Sequence, residues 1–186
     1  MSCNTAGIPA FNIDQAIPLI SYSCIVYMMG NNELIWKLLK DKTADAWNIS
    51  DLSRIEKASL IYNGQEKMND YHVFMDDYND DAINTETTIL RIFPMSETPE
   101  THLITSVDVG MAVYTHTNCN HLSNYETRIE RIIQQLKETF QGADIPKVGT
   151  LVYSQERSRA CKTTMIGRIP YKGKLIVFNT YSSSVK

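Results

Sequence analysis

Apolar and polar positions alternate along this chain with two periods, and the clearest of them lies between Ser123 and Gly142. Tyr125, Ile129, Ile132, Ile133, Leu136 and Phe140 recur at offsets of 0, 4, 7, 8, 11 and 15, a single stripe of the 3.6-residue helical period. Ser123 and Glu126 have capping-box spacing, and Gly142 followed by Pro146 supplies a stop. Arg128, Glu130, Arg131, Gln134, Lys137 and Glu138 are placed on the wet side. One stripe implies one partner surface, which we expect to be a sheet, because the flanking segments alternate with the period of strands.

Those strands are Thr87 to Phe93, closed by Pro94, and the long run from Leu103 to His116. In the second, Thr105, Val107, Val109, Met111 and Val113 share one face. Ile104, Ser106, Asp108, Gly110, Ala112 and Tyr114 make a mixed face, expected to meet water or a neighbour. Ser96 to Thr101 is expected to be a connector, and Val148 to Tyr153 and Lys174 to Tyr181 the last two strands. The expected fold is therefore α+β: an antiparallel or mixed sheet with one long helix on it, a β-β-α-β-β core. N-terminal helices precede that core, and a long basic hairpin arm extends from it.

The earlier part of the chain predicts helices. The apolar stretch 13–29, with Pro18 suited to a first turn, reads as a helix from about Ile17 into Met29, with a strand as the alternative. It is too short and too interrupted to span a bilayer, which takes about 20 apolar residues. Ordinary core or a subunit interface would each explain it. Glu33 to Lys40 is helical, with Leu34, Ile35, Leu38 and Leu39 at helical spacing. Ser50 to Tyr62 is expected to be a short helix capped by Ser50 or Asp51, with Leu52, Ile55, Leu60 and Ile61 apolar and Asn63-Gly64 ending it. Residues 1–12 are small and polar. Residues 1–86 thus form a helical and acidic region and 87–186 the core with its arm, in one structural domain of 186 residues.

Charge divides the chain. Residues 1–110 hold 7 Lys/Arg against 16 Asp/Glu, a net of −9, whereas residues 111–186 hold 11 against 5, a net of +6. Two segments concentrate it. Asp70, Asp76, Asp77, Asp80 and Asp81 crowd one loop among Tyr71, Phe74 and Tyr78; adjacent acidic pairs without a turning glycine read as a solvated loop, not a calcium site. The arm 154–173 carries Arg157, Arg159, Lys162, Arg168 and Lys172 with one acid, Glu156. It is too long for a plain hairpin turn. These basic residues and Asp76, Asp77, Asp80 and Asp81 are the candidate interface residues.

Candidate chemistry is sparse. There is no Walker loop, HExxH or GxSxG pattern. Cys3, Cys24, Cys119 and Cys161 follow no disulfide-rich spacing and no secretory signal opens the chain, so a reduced, cytosolic origin is expected. His116, Cys119 and His121 (HTNCNH), with the distant Cys161, permit a zinc site to be drawn, but their spacing is irregular. A Cys/His nucleophilic pair drawn from them has no third orienting group. We expect no catalytic residue, no cofactor and no bound metal.

Several segments, in this order, resemble neck proteins of tailed bacteriophages, the head–tail joining and tail-terminator group. They are NNELIWKLLKD at 31–41, ISDLSRIEKASLIY at 49–62, TILRIFP at 88–94, the strand 103–116, YETRIERIIQQL at 125–136 and GKLIVFNTY at 173–181. The resemblance implies a non-enzymatic virion protein, assembled in the host cytoplasm. It would form a ring with copies of itself, hexameric or dodecameric, between portal or other neck proteins and the tail, with DNA in the lumen and no membrane partner. The alternatives are a small nucleic-acid-binding module using the basic arm, which lacks interleaved aromatic residues, and a Cys/His-dependent enzyme.

Overall fold

The computed structural model describes residues 16–64, 70–77, 85–99, 104–160 and 171–183. Three helices come first: α1 (Ala16–Asn31), α2 (Glu33–Lys40) and α3 (Arg54–Ser59). Two long strands follow a short one, β1 (Val73–Phe74), β2 (Thr88–Pro99) and β3 (Ile104–His116). Helix α4 (Arg128–Phe140) comes next, then β4 (Asp144–Ile145), β5 (Gly149–Thr150), β6 (Val152–Tyr153), α5 (Gln155–Ala160) and β7 (Tyr171–Ser183). The main sheet has the order β1-β2-β3-β7-β6 and is mixed, because β1 runs parallel to β2 while the other pairs are antiparallel. The α+β class holds. Among the described residues the longest helix is α1, at 16 residues, and α4 has 13.

Helix α4 does pack on the sheet, but it starts later than its sequence suggests. Its N-cap is Thr127, whose hydroxyl accepts from the Glu130 amide at 3.4 Å, a second Thr-x-x-Glu spacing one turn beyond Ser123 and Glu126. Ser123 instead donates to Asp45 at 2.5 Å, and Tyr125 stands wholly in solvent with φ 69°. The rest of the stripe is as expected: Ile129, Ile132, Ile133, Leu136 and Phe140 are buried against Val109, Met111, Val113, Ile176 and Phe178 of β3 and β7. Gly142 takes φ 73° just past the helix, the left-handed conformation that glycine adopts without a steric penalty.

The N-terminal helices join this core directly. Asn32 accepts from the Ile35 amide at 3.0 Å to cap α2, and its amide donates to Gln135 at 3.0 Å and Thr139 at 2.8 Å on α4. Lys57 of α3 is buried. It reaches the Met29 carbonyl at the end of α1 at 3.0 Å and Glu33 at 2.5 Å, and Glu33 in turn accepts from the Leu52 amide at 2.6 Å. Helix α3 is shorter than the 50–62 expected. Ser53 and Glu56 form the capping box, not Ser50 or Asp51, and Ile55 is exposed. The short helix cannot turn Ile55 inward as well as Lys57.

Two strand expectations are corrected. Pro94 does not close β2, which continues through 96–99 in place of the expected connector. The Leu90 amide donates toward β1, to His72 O at 2.8 Å, and Pro94 four residues on has the same orientation. Its missing N–H therefore points to the side where β1 has already ended, an edge position that proline tolerates. Likewise, Val148 to Tyr153 is not one strand: β5 pairs back on β4, and β6 joins the main sheet against Asn179 and Phe178 of β7. The final strand is longer than expected, running from Tyr171 to Ser183 in register with nearly the whole of β3.

The mixed face of β3 is not open to water over most of its length. Ser106, Asp108, Gly110 and Ala112 are buried, and Tyr114 is half-buried. A second cluster of Tyr71, Phe74, Ile89 and Tyr171, with Tyr62 and Tyr114 beside it, lies on this side. Further along, Met95 and Phe93 crowd Gly110, where an added Cβ would meet Met95 at 2.9 Å and Phe93 at 3.0 Å.

Two outcomes are expected of this packing. Leu136→Ala should lower unfolding free energy by about 2–5 kcal/mol in denaturant titration, with unchanged circular dichroism, because the fully buried side chain leaves a cavity. His72 is a pH-dependent element: burial holds its pKa below the usual 6.5, partly opposed by the Thr88 carbonyl 2.9 Å from Nδ1 and by Asp70. The unfolded chain takes up this proton first as pH falls. His72 thus contributes stability above about pH 6.5 that is lost progressively below it, down to the lower folded-state pKa. The His72→Gln variant should show a smaller drop in midpoint than the parent between about pH 7.5 and 5.5, a range bracketing the free imidazole value.

Candidate functional site

The candidate interface residues do not come together in one place. Arg157 lies on α5 and its guanidinium pairs with Asp108 of β3, a buried carboxylate that also accepts from Ser96 at 2.7 Å and Asn179 at 3.0 Å. Arg159 lies in the same short helix. Lys172 is exposed on β7 opposite Thr115. Lys162 and Arg168 lie outside the described residues, as do Asp80, Asp81, Tyr78, Cys161, Cys3 and all of 1–15. Of the expected arm 154–173, the first part is helical and bonded to β7 (Ser154 N to Val177 O at 2.8 Å, Val177 N to Ser158 Oγ at 3.0 Å), the last three residues belong to β7, and 161–170 lie outside the described residues.

The acidic residues divide as well. Asp76 pairs with Arg91 of β2, whose guanidinium is buried and stacks over Phe74 at 4.8 Å. Burial disfavours that cation, and the Asp76 charge offsets it. Asp77 is exposed. Within the described residues, the basic arm meets Asp108, and the acidic loop meets Arg91.

The most concentrated polar constellation centres on a residue that the sequence places on the wet side of its helix. Arg128, the first residue of α4, is 0% exposed. Its Nε donates to Cys119 O at 2.7 Å, Nη1 to Leu38 O at 2.6 Å and Asp41 O at 2.5 Å, and Nη2 to Thr43 O at 2.6 Å. Leu38 and Asp41 are the last turn and C-cap of α2, so the guanidinium sits where that helix presents unpaired carbonyls and its negative dipole end. Burial lowers its pKa, with the cost met by these carbonyls, and a planar five-donor fork is the side chain suited to serve several acceptors at once. A signal existed: Arg128, Ile132 and Leu136 are spaced four apart, on the buried stripe.

Next to Arg128, His116 at the end of β3, Cys119 in the 3-10 turn Thr117–Cys119 and Glu86 ahead of β2 bring one ligand-type atom each to within 4.8 Å of one another. His121, the sequence partner of the first two, is exposed and bridges to Thr127 instead. The Cys119 thiol is held above its ordinary pKa by burial, opposed by the Arg128 charge, so it is a protonated thiol at neutral pH and not an activated nucleophile. Cys24, buried in α1, is pushed up to about 12 by the same effect.

Sequence comparison adds what the geometry does not: the chain matches a phage-associated family of the Bacillus SPBc2 prophage type. That family is YomW. Its model covers residues 32–172, well over half of the 186-residue chain, and the chain belongs to it. No curated protein and no solved structure matches the chain. Among the described residues, no helix is long and apolar enough to cross a membrane.

Arg128→Met should unfold the protein at markedly lower denaturant, a loss on the order of 4 kcal/mol or more, since each stranded buried carbonyl costs about 1–3 kcal/mol. Arg131→Met, three residues along and half-exposed, should stay within about 0.5 kcal/mol of the parent. Equal effects from the two substitutions would contradict the role given to Arg128.

Proposed function

We propose that this chain is a structural protein of a tailed-phage neck, a ring subunit that joins the portal or head to the tail as a connector or tail terminator. The observation that carries the reading is membership of a phage-associated family spanning residues 32–172. Three features support it. The described residues include strands 12 and 13 residues long, paired along most of their length, which make a stiff plate suited to load-bearing assembly. The only nucleophile-type cysteines described, Cys24 and Cys119, are protonated and buried. The chain is acidic up to residue 110 and basic beyond it, a charge asymmetry on which contact between copies draws in this reading. A closed ring of identical subunits is built from such a heterologous contact, in which opposite charges serve chiefly to set register and partner choice.

Apart from Arg157, the basic residues of the 154–173 stretch, Arg159, Lys162, Arg168 and Lys172, are proposed to meet a neighbouring subunit or ring. The chain is neither an enzyme nor a membrane protein in this reading. Deleting its gene from the phage that encodes it should yield, on induction, filled heads and finished tails that remain separate under the electron microscope. Intact infectious particles from the deletion would overturn the proposal.

A further inference from the structure

The cluster beside Arg128 departs from the expectation of no metal. We propose that Glu86, His116 and Cys119 form a binding site for a zinc-class divalent cation, which fastens the start of β2 to the end of β3 and to the turn leading toward α4. The residues come from two stretches of chain, Glu86 from one and His116 with Cys119 from the other, and their ligand-type atoms lie within 4.8 Å of one another. Around a tetrahedral ion with bonds of about 2.0–2.3 Å, ligand atoms stand roughly 3.3–3.8 Å apart. The cluster must therefore tighten by about an ångström, and Glu86, the exposed member, has the freedom to supply that movement.

Each member already has a neighbour that orients it. The Glu86 carboxylate accepts from the Asn118 side-chain amide at 2.7 Å through Oε1. The His116 ring stands edge-on to Tyr171, with centroids 5.4 Å apart at 84°, and its backbone amide donates to Thr87 O at 3.0 Å. The Asn118 backbone amide donates to His116 Nδ1 at 3.2 Å, so Nδ1 is the accepting nitrogen of the ring; a cation bound there replaces this one long contact. Cys119 is anchored through its carbonyl by Arg128. Such supporting bonds orient ligands before the ion arrives and limit the entropy lost on binding.

Thiolate, imidazole and carboxylate together suit zinc and its spectroscopic substitute cobalt(II), and disfavour magnesium or calcium, which take oxygen ligands. With three protein ligands, water completes the coordination on the side where Glu86 is exposed. Because the thiol is protonated when unliganded, binding exchanges its proton for the ion, so affinity should fall as pH is lowered.

The full reduced chain should bind one zinc ion in calorimetry and release a proton on binding. Cobalt(II) should give a thiolate-to-metal charge-transfer band. Cys119→Ser, which preserves side-chain size, should abolish that band and weaken zinc binding at least tenfold. Glu86→Gln, at an exposed position, should weaken binding without loss of fold, and His121→Ala should bind as the parent does. Absence of zinc binding at micromolar concentration, or Cys119→Ser binding as tightly as the parent while folded, would overturn the site. Loss of binding on His121→Ala would equally assign the ion to other residues.

Discussion

Four backbone carbonyls from three parts of the chain converge on one guanidinium, and much of the arrangement depends on that convergence. The end of α2, the loop at 41–43 and the turn at Cys119 all present C=O groups toward the first residue of α4. No aliphatic side chain would satisfy them, and a lysine ammonium offers three donors from one point where four directions are needed. The helix itself starts under the same constraint: the Arg128 amide donates to Asn120 O at 2.7 Å, and the buried Asn120 side chain accepts from the Ile129 amide at 3.3 Å. Asn32 and Lys57 extend this polar stitching outward, each closing a helix end while tying it to another element. Apolar packing between α4 and the sheet supplies bulk stabilisation, and these side chains fix which helix end meets which.

The sheet has a division of its own. One face carries the aliphatic core, with Ile92, Val109, Met111, Ile176 and Phe178 beneath α4 and α1. The other is half aromatic, around Tyr71, Phe74 and Tyr171, and half polar, around Asp108 with Ser96, Asn179 and Arg157. Asp108 therefore brings α5, the beginning of the basic stretch, onto the middle strand. A cation that reads in sequence as available to a partner is engaged by its own chain, which leaves partner contacts to other members of the basic and acidic sets.

What was legible in the sequence follows the physics of periodicity. The α4 stripe from Ile129 to Phe140, helix α2 to the residue and the alternation of β3 were plain, because burial on one face imposes a repeat that composition records. The misplaced positions obey other rules. Ser123-Glu126 and Thr127-Glu130 have the same capping spacing, and only the contact of Ser123 with Asp45 decides between them. Arg128 and Asp108 sit on buried faces but carry charge, and a reading that equates charge with solvent sends both outward. Pro94 closes a strand only where its missing N–H would be needed, which depends on where β1 ends. Glu86 had no local signal at all, since its neighbours His116 and Cys119 are brought to it by strand pairing about 30 residues away along the chain, a long-range contact that periodicity does not encode.

A stiff paired plate, a charge-divided chain and a phage family underlie the role proposed at the junction of head and tail. That role requires the protein to leave the host inside the particle, at a fixed copy number and at one place. Mass spectrometry of gradient-purified phage particles, combined with cryo-electron microscopy of their necks, tests it most directly. The account predicts that the chain is present at a copy number matching a closed ring, with density at the head–tail junction that fits the β2-β3-β7 plate and α4. Purified, infectious particles that lack the chain altogether would contradict it.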